Sequence, residues 1–507
     1  MFTDETLETV GADSLWRKSR QFEHDSRGCQ TTAIEKVETE AQVVCCSESG
    51  TQTDPDDHHM HSLFSSHEHR PDSPGLRDFL HRVEDTVIRE LTKNAKSHAF
   101  DGFEVNWEER NQTVSCVHRL QHSEAQERGL QVTSLTWSST GSVIACAFGR
   151  VDDGDWSTEK SFVCTWNLDR RGLDENRPDV AIDVSAAVMC LAFHPLRPSL
   201  IAGGLYSGEV MVWDTSRTQD PVLAQTGMLA HTHRDPVYQV CWVPWGRRGE
   251  LAVLSAGTEG RVLLWNVGVD GKLGLSAGYA LVKQQVPHSG TLSKARGSGC
   301  VGITSLALSP WDPDMFLVGS EGGLVLKCSF STQTVAAAEI ATTSEGESVT
   351  LLAPAQFCFS PRCGPVHSLH CSPFHRNLFL SVGTDGLAHL HSLLQPEPLL
   401  SLRVSDSYVF GVRWSPTRPL LFAAATGQGL VQIFDLGQRS LRPAAVIDQN
   451  IKGQPVYCLE FNPRQTHLLA AGNADGTINI WHLSAELTEQ GSREAAQLEQ
   501  LANELAE

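Results

Sequence analysis

The residues best placed by type to do chemistry are scattered, and each grouping fails on spacing or charge. Gly154-Asp155-Trp156-Ser157-Thr158-Glu159-Lys160-Ser161 imitates a phosphate-cradling loop. Glu159 stands where the second glycine is required, and its carboxylate would repel a phosphate. No GxSxG, HExxH or dinucleotide fingerprint is present, and no spacing gathers serine, histidine and aspartate into a triad. His58, His59, His61, His67 and His69 form a cluster without closed metal-ligand spacing. It reads as a solvated linker that gains charge below about pH 6.5. The 14 cysteines include no CxxC pair, and Cys190, Cys241 and Cys458 fall inside expected strands. Buried, reduced thiols of a cytoplasmic protein fit that placement. The expectation is a chain with no catalytic residue, no cofactor and no metal.

Binding is left, and the bulk properties narrow it. A net charge of −20 and a pI near 5.5 argue against nucleic acid and anionic membranes as main partners. No run of 18 apolar residues supports membrane insertion, and the first residues, MFTDETLETVGADS, are too acidic for a signal peptide.

The elements that must position any binding surface come from a repeat. In VYCLEFNPRQTHLLAAGNADGTINIW (456–481), Val456, Leu459, Phe461 and Pro463 mark a short strand and its stop. The apolar run Leu468–Ala471 and the Asp475-Gly476 turn then lead to an alternating strand ending at Trp481. Similar sets begin at Val132, Val188, Val237, Ile303, Val366 and Val409, giving seven copies. Trp166-Asn167, Trp213-Asp214, Trp265-Asn266 and Phe434-Asp435 close four of them. The pattern resembles the WD-repeat family, whose units run about 40–45 residues. One small sheet cannot bury both faces, whereas a ring of them can. The fold class implied is all-β, a seven-bladed WD-repeat β-propeller over 113–484. The usual Gly-His before each first strand is mostly missing; His231 or His233 is its candidate replacement before Val237. Thr113–Leu120 reads as a strand that completes blade seven and removes an exposed edge. Excess length at 149–161, 267–300 and 329–362 predicts surface loops.

Ahead of the ring, residues 1–72 form an acidic arm; through Gly75 it holds 15 Asp and Glu against 6 Lys and Arg. Too little apolar surface is available to offset ordering entropy, so the arm is expected to be disordered alone. It carries Gly50-Thr51-Gln52-Thr53 and, 22 residues earlier at the glutamine, Cys29-Gln30-Thr31. Thr-Gln-Thr resembles peptides that add a strand to the hub-type dynein light chain, with glutamine as the central anchor. Two copies suit a dimeric partner with two grooves.

Residues 73–95 predict an amphipathic helix capped by Ser73-Pro74. Leu76, Phe79, Leu80, Val83, Val87 and Leu91 draw one apolar stripe on it. Residues 96–112 then link to the ring, and Ser484–Glu507 reads as an acidic helix (Leu487, Leu498, Leu501, Leu505) lying loosely on the ring or frayed.

A light-chain motif, an amphipathic helix and a WD-repeat ring, in that order, resemble the dynein intermediate chains. The phrases FDGFEVNW (100–107), GRVDDGDWSTEKSFVCTWNLDRR (149–171), AGGLYSGEVMVWD (202–214) and CSPFHRNLFLS (371–381) place the likeness in the dynein 2 branch, the ciliary motor. The resemblance implies a non-catalytic subunit supporting retrograde intraflagellar transport and cilium assembly. Its implied partners are the dynein 2 heavy chain, bound by the ring at positions the sequence does not name, and hub-type and roadblock-type light chains. The roadblock-type dimer would take the helical stripe, and a second intermediate chain would complete the set. Cytoplasm, ciliary base, axoneme and cytoskeleton are the implied locations. The alternative is a WD-repeat adaptor such as a ubiquitin-ligase substrate receptor.

Overall fold

The computed structural model describes residues 74–95, 113–150, 160–217, 219–227, 232–246, 250–268, 270–287, 299–337, 341–342, 348–438, 442–449 and 453–505. The chain divides into two units, Met1–Phe103 and Glu104–Glu507. In the first, helix α1 spans Pro74–Ala95. It opens on proline, whose missing N–H costs nothing in the first turn, and ends with Lys93 near the carbonyl pole.

The second unit is built from seven four-stranded antiparallel sheets. Their first strands are Gln131–Trp137, Val188–Phe193, Val237–Trp245, Ile303–Leu308, Val366–Cys371, Val409–Trp414 and Val456–Phe461. These strands coincide with the seven repeats read from the sequence. Each packs on the first strand of the next blade, and the seventh packs on the first, so the ring closes. Within a blade the second strand is apolar on both faces; Leu421–Thr426 and Leu468–Asn473 are buried throughout. That double burial is why a blade is stable only between neighbours. Trp166, Trp213, Trp265 and Trp414 are among the largest fully buried side chains.

Closure uses the start of the chain. Val114–Gln121 pairs antiparallel with Thr477–Leu483 and becomes the outer strand of blade 7, as the reading of 113–120 predicted. Polar stitches cross the seam between blades 7 and 1. Gln121 N donates to Glu175 O at 2.8 Å, Trp137 Nε1 to Glu460 O at 3.2 Å, and Asn462 Nδ2 to Gly141 O at 2.7 Å. Gly141 has φ +77°, and a Cβ there would lie 2.6 Å from Asn462 Oδ1, so the seam requires glycine.

Two expectations are corrected. The excess at 267–300 and 329–362 is not simply loop. Leu273–Ala280 is the outer strand of blade 3 and Ala355–Cys358 that of blade 4. Leu352 bonds Gly278 and Ala280 on blade 3's outer edge, and the Tyr279 hydroxyl donates to Phe330 O at 2.9 Å. The blade 4 excursion thus covers the edge of blade 3, protecting it from stray pairing. Of 149–161, residues 151–159 lie outside the described ones.

The tail is neither one helix nor loose. Helices α2 (Ser123–Glu127), α3 (Ala485–Thr488) and α4 (Glu494–Glu504) flank the blades. Leu487 is buried with the blade 6 and 7 core, while Leu498 and Ala502 are buried with Leu402, Leu420 and Leu436 of blades 5 and 6. Arg418 pairs with both Glu494 and Asp435, and its Nη1 donates to Glu486 O at 2.7 Å. A thin stripe suffices because alanine completes it and one arginine ties both helices down.

Candidate functional site: an exposed apolar helix face

Helix α1 presents its stripe to solvent. Phe79 is 48% exposed, Leu80 55% and Leu91 62%; Val87 is also exposed and Val83 is intermediate. Leu76 lies in α1, and its side chain is outside the described set, as is Ser73. Ile88, absent from the sequence-derived set, is 55% exposed and widens the face on one flank. Its place one residue after Val87 and three before Leu91 was the available signal. The Arg82 guanidinium sits 5.8 Å from the Phe79 ring centroid. Lys93 Nζ and Glu90 Oε2 pair at 3.4 Å, and His81 and Glu84 at 3.3 Å, so charge borders the stripe. Six apolar side chains on one helix face can grip an apolar groove; they offer no nucleophile, acid or base.

Inside the ring, a constellation that imitates catalysis is structural. His233 Nε2 lies 2.7 Å from Ser255 Oγ, and His233 Nδ1 lies 2.6 Å from Glu259 Oε1. The serine, histidine and acid that spacing left apart are thus brought together. Trp265 Nε1 donates to the same serine oxygen at 2.8 Å, and Ser255 is fully buried, so no substrate reaches it. Burial alone would raise the Glu259 carboxyl, but the His233 contact, the Arg234 N–H and the Arg261 charge together hold the group below its ordinary range. His233 is therefore the stand-in before Val237.

Blade 5 builds the same node from other residues. Arg362 takes the histidine's place, donating to Ser381 Oγ at 2.6 Å and to Asp385 at 3.0 and 2.5 Å. His391 takes the tryptophan's place, 2.9 Å from Ser381 Oγ. Around it, burial and the Arg362 charge hold His367 and His389 down to about 4. Burial, then His389 and Arg362, bring His391 to about 3. Burial raises the thiols of Cys146, Cys190, Cys241 and Cys458, so these cysteines are inert.

Residues 342–483 match the dynein axonemal intermediate chain 3 WD40 domain, and residues 183–214 match a WD domain, G-beta repeat. Over 505 residues, 99% of this chain and 92% of the relative, it is 53% identical to cytoplasmic dynein 2 intermediate chain 2 of Mus musculus. This chain belongs to the dynein intermediate chain family. The human protein of the same description is also 53% identical, over 506 residues, 99% of this chain and 92% of that protein. Cytoplasmic dynein 1 intermediate chain of Drosophila melanogaster is 24% identical over 428 residues, 82% of this chain and 58% of that protein.

In this intermediate chain, the arm motifs Cys29-Gln30-Thr31 and Gly50-Thr51-Gln52-Thr53 lie outside the described residues, as do His58–His69. Of the phosphate-loop imitation only Lys160 and Ser161 are described; Ser161 is buried in a blade 1 strand.

Proposed function

We propose that this intermediate chain is a non-catalytic subunit of the dynein 2 motor, joining light chains to the heavy chain. The observation that carries the reading is 53% identity extending over 99% of the chain, arm and helix included. The ring supplies a stiff platform for the heavy-chain tail. Helix α1 supplies an apolar stripe for a roadblock-type light-chain dimer, and Gln30 and Gln52 anchor two strand-forming motifs for a hub-type dimer. A second intermediate chain pairs with it, and the assembled motor works in retrograde intraflagellar transport and cilium assembly, from ciliary base to axoneme. A linker subunit needs no active site, because the nucleotide chemistry belongs to the heavy chain.

The test is purification of the full chain from ciliated cells followed by native mass spectrometry. A motor heavy chain with both light-chain types supports the proposal. Recovery of a ubiquitin-ligase scaffold without motor subunits overturns it in favour of a substrate receptor.

A further inference from the structure

The strand that shuts the ring, Val114–Gln121, is built in two unlike halves. A register shift between Cys116 and His118 leaves Val117 out of the ladder and 44% exposed. Such a bulge interrupts pairing, so the stretches on either side of it can part separately. The arm-side half pairs Val114, Ser115 and Cys116 with Leu483, His482 and Trp481. None of its three side chains is fully buried. Val114 is partly buried beside Leu483 and Leu487, Thr113 O accepts from Ser484 N at 2.9 Å, and Cys116 Sγ turns back to His118 O on its own strand.

The seam-side half pairs His118, Arg119, Leu120 and Gln121 with Ile480, Asn479, Ile478 and Thr477. Leu120 is fully buried with Ile478 and Ile480 of blade 7 and Phe148 of blade 1. His118 Nδ1 lies 3.0 Å from Glu175 Oε1, Gln121 Nε2 donates to Asn176 Oδ1, and Arg119 Nη2 lies 3.9 Å from Asp475 Oδ2. Blade 1, through Glu175 and Asn176, thus clasps this half from across the seam. Each of the other outer strands comes after its neighbour in the chain. This one comes from the chain's start, so its arm-side end has no turn to hold it. Local opening costs less where fewer contacts are buried, and the two halves differ in that respect.

We infer that the closing strand is a two-stage latch: Val114–Cys116 opens from the arm side while His118–Gln121 keeps the ring shut. Opening of the first stage hands the upstream chain three residues, about 10 Å of extra reach, with no blade disturbed. A pull on that chain therefore meets a yielding stretch before it reaches the seam.

Hydrogen exchange of the full-length chain, read at single residues, tests the latch. Amides bonded across the ladder are expected to open about tenfold or more faster in Val114–Cys116 than in His118–Gln121. Ser115→Pro, which removes a donor from the first stage, is expected to leave exchange at Thr477–Ile480 and the melting temperature unchanged. Leu120→Ala is expected to speed exchange at Thr477–Ile480 about tenfold or more. His118→Ala with Gln121→Ala, which strips only the side chains of the clasp, is expected to do the same to a smaller degree. Equal opening of the two halves in the wild-type chain overturns the two-stage latch. So does faster exchange at Thr477–Ile480 in Ser115→Pro, because the first half would then hold the ring. Unchanged exchange there in both Leu120→Ala and the alanine pair overturns the clasp.

Discussion

Helix α1 and the ring use the same kinds of apolar side chain to opposite ends. In the ring, Leu421, Phe422, Val431 and Ile433 are sealed by the neighbouring blade. In α1, Phe79, Leu80, Val87, Ile88 and Leu91 are left half open to water. Burying such a side chain from a fully exposed start gains about 1.5–3 kcal/mol, so five half-exposed ones withhold roughly 5 kcal/mol of gross burial. The ring is therefore finished, with its apolar side chains sealed, and the helix is unfinished, with an apolar face open to water. Nodes such as Arg362 belong to the first kind of region, because every donor is spent internally.

The sharpest way to break that distinction is to unfinish the ring. Arg362→Met removes donors to Ser381, Leu387 and both Asp385 oxygens, leaving a largely buried carboxylate without its cation. A loss of about 3–5 kcal/mol in unfolding free energy is expected, read from denaturant melts of the full chain. A loss within error of surface substitutions would mean that blade 5 does not depend on this node. Next in size is Leu498→Ala in α4, fully buried between blades 5 and 6. It is expected to cost about 2–4 kcal/mol, which a frayed tail would not.

Those two variants also mark where the sequence was readable. Periodicity and turn chemistry located all seven inner strands and the closing strand at Val114–Gln121, because strands repeat locally and Asp-Gly or Pro punctuates them. The arginine node was hidden, since Arg362 lies between blades and its partners Ser381, Asp385 and His391 are set by packing alone. The tail was misread because Leu487, Leu498 and Ala502 look sparse until Arg418 is placed against Glu494. Within α1 the stripe was legible from spacing, and only Ile88, on its flank, escaped. His367, Phe410 and Tyr457 were invisible as a set: nothing in VHSLHC, VFGVRW and VYCLEF announces that the rings at their second positions meet.

Acid should unfinish the ring more gently. His367, His389 and His391 are neutral in the folded state, with values near 4, 4 and 3 against an ordinary 6.5. The unfolded chain therefore takes up protons first, and stability falls as pH drops from about 6.5 toward 4. Each group is expected to cost on the order of 1 kcal/mol at pH 5, after allowing for partial solvation. His389→Gln should flatten the melting-temperature profile across that window. An identical slope in the variant would place the acid sensitivity elsewhere.

The smallest effect expected on the ring is the most informative about the helix. Leu80→Asp with Val83→Asp puts two carboxylates into the stripe at positions one turn apart, where Leu80 is 55% exposed in the chain alone. Little burial is lost within the chain, so the ring's unfolding free energy should move by no more than about 0.5 kcal/mol. Burying the same carboxylates against a partner groove would cost several kcal/mol without compensating cations. Capture of the roadblock-type dimer should then disappear, while Gln52→Ala with Gln30→Ala should weaken only hub-type binding. Calorimetry with each purified light chain separates the two. A substantial drop in the ring's melting temperature for the aspartate pair would make the stripe part of the platform's own core and end the contrast between a finished and an unfinished surface.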